Sequence, residues 1–560
     1  MLDCVAMRLI PARLWLSAIL SGVLQILPFP IAGPVPVWRT TLCWIALTPL
    51  LKALIGDDAS GKPIGILQGA MLGYASGIVW YLGDCYWIYS TMHAYGAIAK
   101  PIAAGILLLF CLYLGLYHAL FGALVAIFRR VGWVGVQGAL ALSPFAWVVA
   151  ELALARITSV PWDPLGIAQI DNPLLIRLAP YTGGYGLSFV IAAVNALWLM
   201  RFSLKERRYT RPAITAVGVA VILMYVGFLR HLHRRGSEGT TAVATLVQEN
   251  IEVGAANKGP QLTEAEKLAT YSRLSLYPGM SYCVGIPELA STRCIQVTPL
   301  GEETTNSVRP AARTDLIVWP EAPNDFFESD PRFREGVSEL ARVADAPIIV
   351  GNIGIDADRQ VQRGYDLFNS ADFVAPDGSF AGRYDKIHLV PFGEYVPYKK
   401  LLFFAGNLLA DVGEFDRGKR RLVFATGGHK YGTFICYESI FGDEVREFED
   451  LGADVLVNIS DDGWYGDTSA AWEHLNMARM RAIENHRWVL RATNTGVTAA
   501  IDPYGRVVMA APRHVTTSLR VGFNYEHDVT FYAKYGDLFA YFCGLVTVVG
   551  VGLGWGKRAV

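Results

Sequence analysis

The sequence predicts two parts in one chain: a polytopic α-helical membrane bundle of about eight spans, and an α/β domain outside the membrane. Three observations carry this. The 560 residues are only 18% charged and have a mean hydropathy of +0.31, which is too apolar for an ordinary water-soluble chain. The apolar residues concentrate before about residue 230 and again at the C-terminus, in windows long enough to cross a bilayer as helices. Between them, short β-rich runs alternate with helical patterns, the arrangement of a layered α/β domain.

The uncharged windows lie at residues 14–33, 63–83, 101–128, 131–150, 178–200 and 213–229. A further span at 38–54 has its uncharged middle confined between Arg39 and Lys52, and residues 538–555 supply the last one. Any one window would fit a buried core helix, but the chain lacks the polar surface to cover all of them. The window at 14–33 is followed by further spans and by no small-residue cleavage signal, so it reads as a span rather than a signal peptide.

Lys and Arg in short loops accumulate on the cytoplasmic side of a membrane. With the N-terminus inside, Arg8, Arg13, Lys62, Arg129, Arg130, Arg201, Lys205, Arg207, Arg208, Arg211, Lys557 and Arg558 fall there. The opposite loops hold only Arg39, Lys100, Arg156 and Arg177, while Arg230, Arg234 and Arg235 dissent. The expected organisation is a membrane domain at 1–236, an extracytoplasmic domain at 237–530, and a final transmembrane helix with a short cytoplasmic tail at 531–560. In a diderm bacterium the middle part then lies in the periplasm, where no ATP is available. A net charge of −1 gives no reason to expect a nucleic-acid partner.

Cys4, Cys43, Cys85, Cys111 and Cys543 sit in or near the membrane part, where apolar packing explains them; Cys283, Cys294 and Cys436 are in the exported part. Whether Cys283 and Cys294 form a disulfide is left open by their spacing. No Cys/His spacing resembles a zinc site and no glycine loop resembles a phosphate cradle, so the reading calls for no metal and no cofactor.

β-rich runs are expected at 242–247, 316–319, 347–351, from 424 and at 455–459, and helices at 264–275, 331–343 and 470–485. Three chemistry-bearing side chains follow or close such runs. Glu321 comes after Leu-Ile-Val-Trp-Pro, Lys386 lies in Tyr-Asp-Lys-Ile-His, and Cys436 ends Gly-Thr-Phe-Ile-Cys. A thiol can hold an acyl group, a carboxylate can remove its proton, and an ammonium can stabilise a tetrahedral oxyanion. Each alone also fits an ordinary role: an inert buried thiol, a loop carboxylate, a solvated lysine.

The longer strings around them narrow the reading. They are Gln248-Glu-Asn-Ile251, Val318-Trp-Pro-Glu321, Tyr384-Asp-Lys-Ile-His-Leu-Val-Pro-Phe-Gly-Glu-Tyr-Val-Pro397, Cys436-Tyr-Glu438, Asn458-Ile-Ser-Asp-Asp-Gly-Trp-Tyr-Gly466, Met477-Ala-Arg-Met-Arg-Ala482 and Thr493-Asn-Thr-Gly496. Together they resemble the carbon-nitrogen hydrolase (nitrilase) superfamily, and within it the membrane branch of apolipoprotein N-acyltransferases.

That resemblance implies an αββα sandwich, with Glu321 as proton acceptor, Lys386 as oxyanion stabiliser and Cys436 as nucleophile, its thiolate favoured near the Lys386 ammonium. It makes Glu394, Tyr437 and Glu438 supporting residues, and it puts Trp464 and Tyr465, after the run at 455–459, on a substrate entrance. Arg479 and Arg481 lie two apart on a helical pattern and cannot share a face, so at most one reaches a substrate anion. The family pattern carries Gln-Gly-Asn followed by a tryptophan. Here the glycine is Glu249 and no tryptophan follows, so lipid positioning must rest on another aromatic or differ.

The implied reaction moves a fatty acyl group from a membrane phospholipid to the α-amine of S-diacylglyceryl-cysteine on an apolipoprotein, through an acyl-cysteine thioester. The bilayer itself is a partner, because both substrates are embedded in it. One alternative keeps the fold and lets water resolve the thioester, giving a membrane-anchored amidase or nitrilase. Another makes the exported domain a binding module on a transporter, against which stands the scarcity of charge in the spans, Glu151 excepted.

Overall fold

The computed structural model describes residues 10–130, 135–203, 240–254, 262–277, 314–321, 326–357, 364–395 and 414–555. The expected span at 213–229, Cys283, Cys294 and the tail after 555 lie outside the described residues. The chain divides into two compact units. One comprises Met1–Glu238, Asp467–Met480 and Tyr535–Val560; the other comprises Gly239–Gly466 and Arg481–Lys534.

The first unit is helical. Its principal helices are α1 (Ala12–Ile26), α2 (Ile66–Asp84), α3 (Lys100–Arg130), α4 (Gly135–Ala153) and α5 (Gly184–Ser203). Among the described residues, three helical stretches are long and apolar enough to cross a membrane: Lys100–Arg130, Gly135–Thr158 and Gly184–Arg201. Helix α1 and the C-terminal stretch Leu538–Gly552 are apolar but shorter.

Helices α2 and α3 approach closely because Gly69, Gly73 and Gly77 recur every fourth residue along α2. A Cβ at Gly73 would lie 2.1 Å from the His118 carbonyl oxygen of α3, so only glycine allows this backbone-to-backbone packing.

The expected span at 38–54 is not one helix. Val37–Thr40, Cys43–Ala46 and Thr48–Leu54 are three short helices. The breaks have local causes. Pro49 opens the last of the three, and the Asn195 side-chain oxygen of α5 accepts the Leu47 and Thr48 backbone N–H groups at 2.9 and 3.0 Å. Arg39 is spent on the Leu27 and Phe29 carbonyls at 2.7 and 2.6 Å. Glu151 is buried, and its Oε1 accepts the Trp147 indole N–H at 2.9 Å and the Leu165 amide at 2.8 Å.

The second unit contains two six-stranded sheets. Its strands are β1 (Ala242–Gln248), β2 (Leu316–Val318), β3 (Ile348–Ala357), β4 (Tyr365–Val374), β5 (Phe380–Asp385), β6 (Val423–Thr426), β7 (His429–Ile435), β8 (Val455–Ser460), β9 (Val489–Thr493), β10 (Ala499–Ile501), β11 (Val507–Ala510) and β12 (Thr517–Phe523). The orders are β12-β1-β2-β3-β4-β5 and β11-β10-β9-β8-β7-β6.

Each sheet has three parallel strands at its heart, β1-β2-β3 and β7-β8-β9, extended by antiparallel neighbours. The central strands are mostly apolar and buried where they pair in parallel, as strands covered on both faces must be; β8, Val-Leu-Val-Asn-Ile-Ser, has no exposed residue. The tight β6–β7 hairpin turns on Gly427 and Gly428, both at positive φ.

The sheets face each other through aromatic packing: Phe373 of β4 stacks on Phe424 of β6 at 5.1 Å. On the outer face of the first sheet lie α6 (Glu264–Leu276) and α7 (Pro331–Ala344), whose Tyr271, Leu274, Phe333, Val337 and Leu340 share one core with Val247, Ile317, Trp319 and Ile348. A Thr263/Glu266 capping box starts α6, and Asp330 caps α7 with Pro331 in its first turn. Beyond the second sheet, α8 (Gly442–Asp450) packs Phe448 on Phe434 of β7. Two further long helices are α9 (Ala470–Asn485) and α10 (Leu538–Trp555).

The helices expected at 264–275, 331–343 and 470–485 and the strands expected at 242–247, 316–319, 347–351, 424 and 455–459 are all present within a few residues, apart from a longer β3.

Candidate active site

The C-terminal ends of the parallel strands place the chemistry. Glu321 lies three residues past β2, Cys436 directly follows β7, Asp461 directly follows β8 and Asn494 follows β9. Lys386 directly follows β5, a neighbour in the first sheet. In open α/β sheets such strand ends are where loops diverge and leave room for a ligand.

The structure brings Glu321, Lys386 and Glu394 together. The Lys386 ammonium, 1% exposed, donates to Glu321 Oε1 at 3.1 Å and to Glu394 Oε1 at 2.9 Å. Asn369 of β4 does the same from the other side, its side-chain NH₂ donating to both of those oxygens at 2.7 Å. Glu321 Oε2 accepts the Asp461 backbone N–H at 2.8 Å, and Glu394 Oε2 accepts the Val390 N–H at 2.7 Å. Burial alone would lower the Lys386 pKa, but the two carboxylates outweigh it and hold the ammonium well above its ordinary value.

Cys436 opens a 3₁₀ turn, Cys436–Ile440, with φ +49°. A non-glycine residue there costs about 1–3 kcal/mol and persists only when its surroundings enforce it. Glu438 does so. Its Oε2 accepts the Ile435 N–H at 2.8 Å, while Oε1 takes the Tyr384 hydroxyl at 2.8 Å and the Ile387 N–H at 2.7 Å. One buried carboxylate thus ties the Cys436 turn to the segment that carries Lys386. Burial raises the Glu438 pKa, and these hydrogen bonds work against that rise.

At Cys436 the Lys386 ammonium favours the thiolate, as expected, but other influences outweigh it. Burial first, and then the charge on Glu321, push the thiol well above its ordinary value; the Lys386 ammonium and a hydrogen bond with Ser460 pull the other way without prevailing. A sulfur nucleophile at this position would call on a base to take its proton.

Tyr437 is buried with its ring 5.4 Å from Phe441 and 6.0 Å from His388. The turn Asp462–Tyr465 follows β8, as expected for an entrance loop. Trp464 is 45% exposed, whereas Tyr465 is buried and its hydroxyl is raised by that burial and by Cys436.

Beneath this turn Asp462 pairs with Arg491 at 2.7 Å, both side chains fully buried, and Arg491 also donates to Asn458. Gly496 is required there, since a Cβ would lie 2.1 Å from Asp462 Oδ2. Asp461 is pushed up to about 7, chiefly by burial and then by Glu321, against hydrogen bonds from Gly463 and Asn494. Asn494 in turn accepts the Ile251 N–H at 2.8 Å, joining the β1 end to the site.

Arg479 and Arg481 are both buried in ion pairs, with Asp171 and with Glu484 respectively. Two residues escaped the sequence reading. Asn369 lies inside a strand with no motif around it, and Arg491 sits mid-strand where an apolar residue is the norm. Only a polar side chain at an inward position of a buried strand hints at either.

The profile of the carbon-nitrogen hydrolase family matches residues 246–520, and that of the apolipoprotein N-acyltransferase N-terminal domain matches residues 21–197. Among curated proteins, an apolipoprotein N-acyltransferase of Geobacter metallireducens is 33% identical over 559 residues, covering 98% of this chain and 97% of that protein. One from Shewanella oneidensis is 31% identical over 484 residues, covering 83% of each. Among solved structures, Saccharomyces cerevisiae Nit3, of the nitrilase superfamily, aligns at 15% identity with a TM-score of 0.34, covering 51% of this chain and 91% of its own.

Proposed function

This chain belongs to the apolipoprotein N-acyltransferase family, and from that premise we propose that it moves a fatty acyl group from a membrane phospholipid to the α-amine of an S-diacylglyceryl-cysteine. It is an acyltransferase of lipoprotein maturation, and the amidase alternative is not favoured. The observation that carries the mechanism is one buried carboxylate, ammonium and thiol set, at strand ends, whose charges act on one another.

In the first half-reaction Glu321 takes the thiol proton as Cys436 Sγ bonds to the ester carbonyl carbon. The Lys386 ammonium stabilises the resulting oxyanion. Collapse breaks the ester C–O bond, the proton passes from Glu321 to the leaving alcohol, and a lysophospholipid departs from the acyl-Cys436 thioester. In the second half-reaction the α-amine attacks that thioester. Glu321 takes the amine proton and returns it to Sγ as the C–S bond breaks, leaving an amide and a free thiol. No metal or cofactor enters.

Glu394 holds Lys386, Glu438 holds the Cys436 turn, and Tyr437, Trp464 and Tyr465 border the approach to it. Eight spans, with 237–530 outside the cytoplasm, would deliver this site to the outer leaflet of an inner membrane; the Lys/Arg bias supports that placement.

The test is intact-protein mass spectrometry after incubation with phospholipid. Wild type should carry a hydroxylamine-labile acyl adduct that a diacylglyceryl-cysteine peptide discharges as N-acyl peptide, and Cys436→Ala should carry none. A folded wild type that never acquires the adduct refutes the thioester route.

A further inference from the structure

In the helical unit, Asp84 at the end of α2, Asp163 in the loop after α4 and Glu473 in the first turn of α9 converge, offering carboxylate oxygens that all lie within 4.8 Å of one another. They are 1%, 2% and 0% exposed. Among the described residues no lysine or arginine pairs with any of them, in contrast to Glu321 and Glu394 with Lys386 and Asp462 with Arg491 in the sheet unit. Among the described residues three of their oxygens have no hydrogen-bond donor: Asp84 Oδ1 and both oxygens of Asp163.

A separate group points the same way. The Ser469 hydroxyl is fully buried beside Glu473, and among the described residues its oxygen accepts no hydrogen bond. The remaining Glu473 oxygen is fixed by the Trp162 indole N–H at 2.7 Å, and Trp162 stacks on His474 and packs 4.8 Å from Trp87.

We propose that Asp84, Asp163 and Glu473 bind a divalent cation of the hard, oxygen-preferring class, with Ca²⁺ as the type, and that the Ser469 hydroxyl can supply a neutral ligand. Three buried, mutually repelling carboxylates are costly unless a positive charge compensates them. Carboxylate and hydroxyl oxygens select Ca²⁺, Mg²⁺ or Mn²⁺ over softer metals, and oxygens up to 4.8 Å apart can share an ion at Ca²⁺–O distances of about 2.3–2.6 Å. The indole bond to Glu473 is the orienting contact such sites carry. The ion would tie three segments together that are remote in sequence, within the helical unit.

The test uses the full chain in detergent, stripped with EDTA. Tb³⁺, a Ca²⁺ mimic, should luminesce when tryptophan is excited, because Trp162 and Trp87 adjoin the site, and Ca²⁺ should quench that emission by displacement. Glu473→Gln keeps the acceptor for Trp162, and Asp163→Asn changes no volume. Each should weaken Tb³⁺ and Ca²⁺ binding by about 100-fold or more, beyond the loss that outer-contact changes give, and should abolish any Ca²⁺-dependent rise in the thermal midpoint. Absence of saturable Tb³⁺ emission from wild type, or unchanged affinity in both folded variants, overturns the proposal. So does a metal-free Asp163→Asn that melts higher than a wild type binding no ion, which would identify carboxyl groups sharing protons.

Discussion

In the sheet unit, Lys386 lies between Glu321 and Glu394, and Arg491 lies against Asp462 with neither side chain exposed. In the helical unit, Asp84, Asp163 and Glu473 are buried as deeply, yet no described cation pairs with them. The difference teaches where compensation comes from. The sheet half carries its counter-charges within its own sequence, which fixes the electrostatics around Cys436 ahead of any ligand. The helical half leaves its counter-charge to be supplied from solution. Removing a partner in the sheet unit should reproduce there the unpaired state that the helical unit already has.

The largest expected effect is from Lys386→Met, which leaves two buried carboxylates facing each other and no charge for the oxyanion. Acyl transfer should fall by at least about 10³-fold, measured as N-acyl peptide formed per enzyme, while the protein still elutes as a folded species. Retention of a tenth of the activity would show that the ammonium is scaffolding.

Next, Arg491→Met strands Asp462 in a dry interior. The expected loss of stability is about 3–5 kcal/mol, read as a lowered thermal midpoint in detergent. The double variant Arg491→Met/Asp462→Leu should recover most of it. If the single variant melts with wild type, the pair is not a charge-compensating one.

Asn369→Ala removes one donor shared by two carboxylates. We expect kcat to drop about 10- to 100-fold, matching an unsatisfied buried acceptor, with KM for phospholipid little changed. Asn369→Gln should not restore it fully, because a longer amide cannot reach both oxygens at 2.7 Å.

The smallest effect concerns pH. Asp461 has an ordinary value of 3.8 and is raised to about 7 in the fold. Between those values the native state holds a proton that the unfolded chain has released, so this residue makes stability fall as pH rises from about 4 to about 7. Asp461→Asn should flatten that slope in a series of thermal midpoints across the range. An unaltered slope would mean that Asp461 stays ionised in the fold.

Much of the site was legible because its strings are local. Glu321, Lys386 and Cys436 each end a β-rich run, and alternating apolar patterns located most central strands and the helices that cover them. What escaped depends on distance along the chain. A hydropathy window over 38–54 cannot register that Asn195, some 148 residues later, intercepts the Leu47 N–H and breaks the helix. The balance at Cys436 is hidden for a related reason: the nearby lysine is visible in the motif, but the depth of burial that outweighs it is a property of the packed sheets. Asp84, Asp163 and Glu473 are apart by up to hundreds of residues, and nothing in their local strings connects them.

The Glu321 carboxylate repays a count of lone pairs. Each oxygen offers two acceptor directions. Among the described residues Oε1 has both filled, by Lys386 and Asn369, whereas Oε2 has one filled, by the Asp461 main chain. A proton arriving on Glu321 has a single vacant seat, on Oε2. Under the proposed mechanism the acid that forms would point one way, toward the departing alcohol in one half-cycle and toward sulfur in the other. Direction is set by a peptide N–H that no substitution at position 461 other than proline can delete.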